Sequence, residues 1–149
     1  MTTKILISGP WLFAGVQCDI HLIPLEEYTR VEDELNPRVD DVLRPKVKFV
    51  GHKGWILDMN VLGNYLYSGS DDRTIMIWDL DRMKRVDVFK AHSDGISCLE
   101  FSHEKLYTGS FDHTIKYWDI KEIRQRVIER EMMIKEDIRS RKVELLFSL

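Results

Sequence analysis

An all-β chain of short antiparallel strands, followed by one C-terminal helix, is what this sequence predicts, and three observations predict it. The stretch "FVGHKGWILDMNVLGNYLYSGSDDRTIMIWDL" (49–80) aligns without a gap on "FKAHSDGISCLEFSHEKLYTGSFDHTIKYWDI" (89–120), forty residues later. Within that frame apolar and small residues form short alternating runs, "ILDMNV" and "ISCLEF", "YLYSGS" and "KLYTGS", "TIMIW" and "TIKYW", bounded by Gly, Asp or Asn. Period-two runs between turn residues read as strands. In the tail, Ile123, Val127, Ile134, Ile138, Leu145 and Leu149 are spaced by four, seven, four, seven and four residues, one apolar stripe of a helix.

The elements follow in chain order. The opening "MTTKILISGPWLFAGVQCD" superficially resembles a secretory signal, but Gly9 and Pro10 interrupt its apolar run and no clear cleavage site follows. A weaker copy of the repeat sits here: Trp11, Leu12, Phe13 and Gly15 fall on Tyr65, Leu66, Tyr67 and Gly69, while Ile23 and Pro24 replace Trp78 and Asp79. The alternative is an unrelated hairpin over Lys4 to Leu25. Residues 26–45 form an acidic, proline-bearing insertion, read as a solvated loop or as bait for a basic partner. Asp119 and Glu122 offer a capping box for the tail helix, about 40 Å long at about 1.5 Å per residue. Two readings stay open for 121–130: the start of that helix, or one more strand.

Composition narrows the function. With 22 Lys plus Arg against 25 Asp plus Glu, the net charge of -3 sets up no global basic field, so neither nucleic acid nor an anionic membrane is an expected partner. No apolar run reaches the roughly eighteen residues of a spanning helix. Cys18 and Cys98 have no metal-ligand spacing; both are read as buried thiols of a reducing compartment, which makes the cytoplasm or nucleus the expected place. The five His residues show no metal pattern, and "GSDD" and "GSFD" lack the glycine spacing of a nucleotide cradle, so no cofactor or metal is expected.

A period near forty, with Gly-His early and Trp-Asp late, resembles WD40 repeats. Gly51-His52 with Trp78-Asp79, and Ala91-His92 with Trp118-Asp119, carry that resemblance over roughly Val47 to Ile120. It implies a partial β-propeller of about three four-stranded antiparallel blades over 1–120, then a C-terminal α-helix over 121–149. Blade 1 is degenerate and spans about 4–50, with 47–50 as its outer strand. Blade 2 spans about 53–90, and blade 3 runs from about 93 to 120 and onward.

The resemblance also implies two side-chain relays, His52, Ser68, Asp72 and Trp78, and His92, Thr108, Asp112 and Trp118, with Ser70 as the rival to Ser68. A Ser-His-Asp set invites a hydrolase reading. Here it recurs at the repeat period with an indole at its end and no nucleophile elbow, so it reads as structural. For docking partners the resemblance points to loop positions Trp55, Leu57, Asp71, Ser97 and Phe111, with Gly95 in the place of Trp55. The helix stripe adds Ile123, Val127, Ile134, Ile138 and Leu145. Three blades cannot close a ring, so a second protein, a second copy or a surrounding assembly is expected to complete the array, or further blades of its own if the sequence is part of a longer gene product. The expected function is a non-enzymatic interaction scaffold or adaptor in a larger assembly. The alternative is a substrate receptor of a ubiquitin ligase, for which no ligase-binding element is identified.

Overall fold

In a computed structural model, residues 2–25 and 45–147 are described. Four strands, β1 (Thr2–Ser8), β2 (Trp11–Val16), β3 (Asp19–Pro24) and β4 (Val47–Val50), form the first antiparallel sheet in that order. The second sheet is β5 (Ile56–Leu62), β6 (Tyr65–Ser70), β7 (Thr74–Asp79) and β8 (Lys84–Lys90), and the third has only β9 (Ile96–Ser102), β10 (Lys105–Ser110) and β11 (Ile115–Asp119). From β11 the chain passes directly into α1 (Ile120–Phe147), so 121–130 is helix and not an outer strand.

The degenerate opening is a real sheet in repeat register. Leu12 pairs with Ile23 as Leu66 pairs with Trp78 and Leu106 with Trp118. Ile23 therefore stands where the indole stands in the later blades. The insertion 26–45 lies almost wholly outside the described residues.

Blade 2 presents an apolar face on each side, so the core lies between the sheets. Phe13, Ile20, Leu22 and Phe49 of blade 1 meet Ile56, Met59, Leu66, Met76 and Trp78 of blade 2. On its other face blade 2 offers Tyr67, Ile75 and Ile77 to Ile96, Leu99 and Leu106 of blade 3. The fit is close at Gly69, where a Cβ would stand 2.8 Å from the Ile96 methyl. Polar staples cross the same joints. The buried Asp58 carboxylate pairs with Lys4 Nζ at 2.7 Å on one side and accepts Leu99 N–H at 2.7 Å on the other, tying all three blades.

The helix begins at an Asp119 cap, whose Oδ1 accepts Lys121 N–H at 2.8 Å and Glu122 N–H at 3.4 Å. Its first third folds back onto blade 2. Ile123 and Val127, expected on a partner-facing stripe, are buried, Ile123 within the core cluster of Tyr67 and Ile77. Arg126 and Arg130 reach the buried Asp87 carboxylate on β8 at 2.7 and 2.5 Å, Arg126 lies over the Phe89 ring, and Glu131 pairs with Arg82. The thiols depart from expectation: Cys18 is half-buried and Cys98 exposed, because β9 turns Cys98 to the side that no sheet covers.

Asp87 is thus the pin of the helix. Asp87→Ala should cost about 1.5–3 kcal/mol, the range for hydrogen bonds to charged groups. It should also expose α1 to trypsin at Arg126 and Arg130, read by limited proteolysis followed by mass spectrometry.

Candidate functional site

Both relays assemble as the repeat implies. In blade 2, His52 Nδ1 lies 2.9 Å from Asp72 Oδ2, His52 Nε2 lies 2.7 Å from Ser68 Oγ, and Trp78 Nε1–H donates to Ser68 Oγ at 2.9 Å. In blade 3 the distances are 2.9 Å from His92 Nδ1 to Asp112, 2.7 Å from His92 Nε2 to Thr108 Oγ1, and 3.0 Å from Trp118 Nε1 to Thr108 Oγ1. An ionised carboxylate can only accept, so the imidazole proton sits on Nδ1 and donates to Asp72 or Asp112; Nε2 of the neutral ring then accepts from the hydroxyl, whose oxygen accepts the indole proton. Each imidazole nitrogen, hydroxyl and indole N–H of the two relays thus has a partner. Ser70, the rival position, instead accepts the Asp72 backbone N–H at 3.1 Å.

At its far end each relay locks the turn between the second and third strands. Asp72 Oδ1 accepts Thr74 N–H at 3.0 Å while Oδ2 accepts Lys53 N–H at 2.8 Å; Asp112 does the same with Thr114 and Ser93, at 2.9 and 3.1 Å. The turn needs that grip, since Arg73 and His113 sit at φ 73° and 66°, the left-handed region costly for non-glycine residues. Gly54 is required beside it, because a Cβ there would stand 2.6 Å from Asp72 N.

The carboxylates are held well below their ordinary range. For Asp72 burial pushes upward, but hydrogen bonds from His52, Thr74 and the Lys53 N–H outweigh it. For Asp112 the Thr114 hydroxyl contributes most, burial opposes, and the Ser93 N–H and His92 add to the lowering. Chemically the relay is a closed circuit: Ser68 and Thr108 are buried and each hydroxyl is engaged by an indole. Among the described residues no three His, Cys, Asp or Glu side chains gather to hold a metal ion.

The loop positions form a row on one end of the sheets. Trp55 and Phe111 are exposed, as are Asp71 and Ser97, while Leu57 is half-buried. The carbonyl of Trp55 accepts Asp71 N–H and that of Gly95 accepts Phe111 N–H, both at 2.9 Å. Gly95 draws the row together, because the site of its missing Cβ lies 2.9 Å from Asp71 Oδ1 and 3.1 Å from Phe111 Cδ2. An aromatic, an acid and a second aromatic thus span two blades. On α1, Ile134 and Ile138 remain exposed beyond the packed segment, joined by Met132 and Met133, whereas the Leu145 side chain lies outside the described ones. Asp58, Asp87, Arg126 and Arg130 had no sequence signal beyond ordinary charge, and the repeat offset gives no help because Asp58 aligns with Cys98.

The family described as WD domain, G-beta repeat matches residues 43–79 and 83–119, from the approach to β4 through β11. The chain belongs to the WD40-repeat family, and its two matched repeats are the two that carry relays. It is 35% identical over 66 residues to Nuclear distribution protein PAC1 of Saccharomyces cerevisiae, covering 44% of this chain and 13% of that protein. It is 42% identical over 57 residues to Nuclear distribution protein nudF of Aspergillus terreus, covering 36% of this chain and 13% of that one. It is also 33% identical over 85 residues to Cell division control protein 4 of Saccharomyces cerevisiae, covering 57% of this chain and 10% of that protein. The matched stretch thus spans about an eighth of each nuclear distribution protein. Among solved structures, a chain of the Mitotic Checkpoint Complex superposes with TM-score 0.66 at 17% identity, over 80% of this chain and 34% of that one. The computationally designed Ika4 protein superposes with TM-score 0.63 at 19% identity, over 80% and 66%. Among the described residues no helix is long and apolar enough to cross a membrane.

Ser68→Ala strands the Trp78 N–H and His52 Nε2 in the core and should lower stability by about 1–3 kcal/mol. Ser68→Thr should retain it, because Thr108 fills the same role in blade 3. Urea midpoints of the two variants decide between them. The depressed carboxylates stabilise the fold fully above their unfolded value of 3.8 and progressively less as pH falls below it toward the folded values. The gap in urea midpoint between the native chain and Asp72→Asn should therefore be constant from neutral pH down to about pH 5 and close below pH 3.8.

Proposed function

We propose that the chain is a non-enzymatic protein–protein interaction scaffold or adaptor, a subunit of an assembly that completes its open array of blades. One observation carries this reading: the apolar faces at the two ends of the array lie open. Ile5, Ile7 and Val50 are exposed on blade 1, and Tyr107, Ile115 and Tyr117 on blade 3. Contiguous apolar surface of this kind marks an interface. The row of Trp55, Asp71 and Phe111 supplies a second, rigid docking surface, and aromatic anchors dominate binding energy in such sites. The buried, engaged hydroxyls of Ser68 and Thr108 support a structural relay over a hydrolytic one. A cytoplasmic place is part of the proposal, resting on two free cysteines and no pairing between them.

Light scattering of the purified chain tests the open-array argument. Self-association or capture into a larger particle is expected, whereas a stable, folded monomer of 17.6 kDa sinks it. Trp55→Ala with Phe111→Ala should leave circular dichroism unchanged and weaken capture of a purified partner by about a hundredfold or more, the scale of a hot-spot pair.

A further inference from the structure

A cavity of about 360 Å³ opens where α1 leaves blade 3, at the joint with blade 2. Leu62 at the end of β5, Phe101 of β9 and Ile120 at the root of the helix give it apolar walls, and all three belong to the packing between those blades. Both blades are already in place here, so the cavity needs no further blade to form. Sites for small ligands range from about 300 to 1,000 Å³ and combine apolar walls with a few convergent polar groups. This volume lies at the compact end of that range.

The polar groups of the rim decide which ligand fits. Lys121 pairs with the Glu104 carboxylate at 2.8 Å, and Lys105 Nζ lies over the Tyr117 ring, 4.2 Å from its centroid. Arg124, also on the rim, has no carboxylate partner among the described residues. It stands beside the Tyr67 phenol, whose buried oxygen makes no hydrogen bond among the described residues. One positive charge is therefore left over. Backbone strain accompanies this arrangement: His103 and Glu104 both sit in the left-handed region, at φ 49° and 62°, where blade 2 has Gly63 at the first of the two places. Such strain persists only where the surroundings hold it, and it clusters at ligand sites. Here Glu104 O accepts Ile120 N–H at 3.0 Å while the side chain reaches Lys121, so the turn is tied to the helix root by backbone and side chain alike.

We infer that this cavity binds a small monocarboxylate with a compact apolar body, its carboxylate held by Arg124 and its body against Leu62, Phe101 and Ile120. One uncompensated cation beside apolar walls suits one negative charge on an apolar molecule, and a guanidinium–carboxylate pair is stronger than a neutral hydrogen bond. A dianion would bring one charge too many, and a neutral apolar molecule would leave Arg124 uncompensated. The site is separate from the open faces of the array, and its occupancy requires no partner chain.

The test titrates naphthoate, as the probe, into the full-length chain and follows backbone amide shifts by nuclear magnetic resonance. Saturable shifts confined to residues 101–105 and 120–124 are expected. The affinity should exceed that for naphthalenemethanol, the neutral alcohol of similar shape, by about tenfold or more, the scale of a hydrogen bond to a charged group. Arg124→Gln should remove that difference while leaving the alcohol's binding unchanged, which shows the cavity intact. Ser102→Trp places an indole in the cavity from an exposed strand end and should abolish binding of both probes, with circular dichroism checking the fold. No saturable shift up to the solubility of the probe, shifts elsewhere in the chain, or equal affinity of acid and alcohol for the native chain overturns the assignment. So does an acid whose affinity is indifferent to Arg124→Gln, an arm that stands whether or not Ser102→Trp folds.

Discussion

A sheet that is apolar on both faces cannot bury either of them alone. That constraint governs this molecule, because its strands put Met76 and Trp78 on one side and Ile75 and Ile77 on the other, and both pairs are removed from water by different neighbours. Burial of apolar area is the dominant favourable term in folding. Stability therefore accrues at the joints, and the blade in the middle is covered on both of its faces. The Asp58 staple belongs to the same scheme: it satisfies a buried carboxylate with one donor from each side, which only a stacked arrangement supplies.

The relays solve a second problem, how to hold a turn whose middle residue sits in an unfavourable backbone region. Arg73 and His113 occupy that region in turns where glycine would pay no such penalty. The flanking carboxylates compensate by gripping the turn from both sides, and the buried imidazole and indole hold the carboxylates in turn. Neighbouring hydrogen bonds of this kind act as a unit, since any member removed leaves its partners unsatisfied in the core. Blade 1 has no such chain of groups. Its first hairpin turns on Gly9 in the left-handed region, its second holds Gln17 there at φ 57° without a relay, and Ile23 fills the indole position with hydrocarbon.

Much of this was legible in the sequence because the repeat announces it. The ungapped offset of forty marked the strands of the two clear copies, the family resemblance supplied the relay partners, the worn first copy aligned only with one residue deleted in its turn, and the spacing of four and seven along the tail marked the helix. What was hidden depends on contacts between residues distant in sequence with no repeat mate. The direction in which α1 folds back is decided by Asp87, one acid among many on paper, and a stripe read as partner-facing turned out to pack within the molecule over its first third. Cys98 is exposed for a reason the strand itself carries: Leu99 and Phe101 alternate with Glu100 and Ser102 along β9, the pattern of one covered face, and Cys98 shares the uncovered face with Glu100.

The helix also has a mechanical side. Its grip on blade 2 ends near Glu131, and the residues from Met132 to Phe147 continue as one rigid rod, about 24 Å at about 1.5 Å per residue. A load applied at the tip has a long moment arm about the Asp87 anchorage, so a small sideways force there becomes a large torque on β8. That strand holds Phe89 against Trp118, and the joint between the last two blades is where such a torque would be felt first.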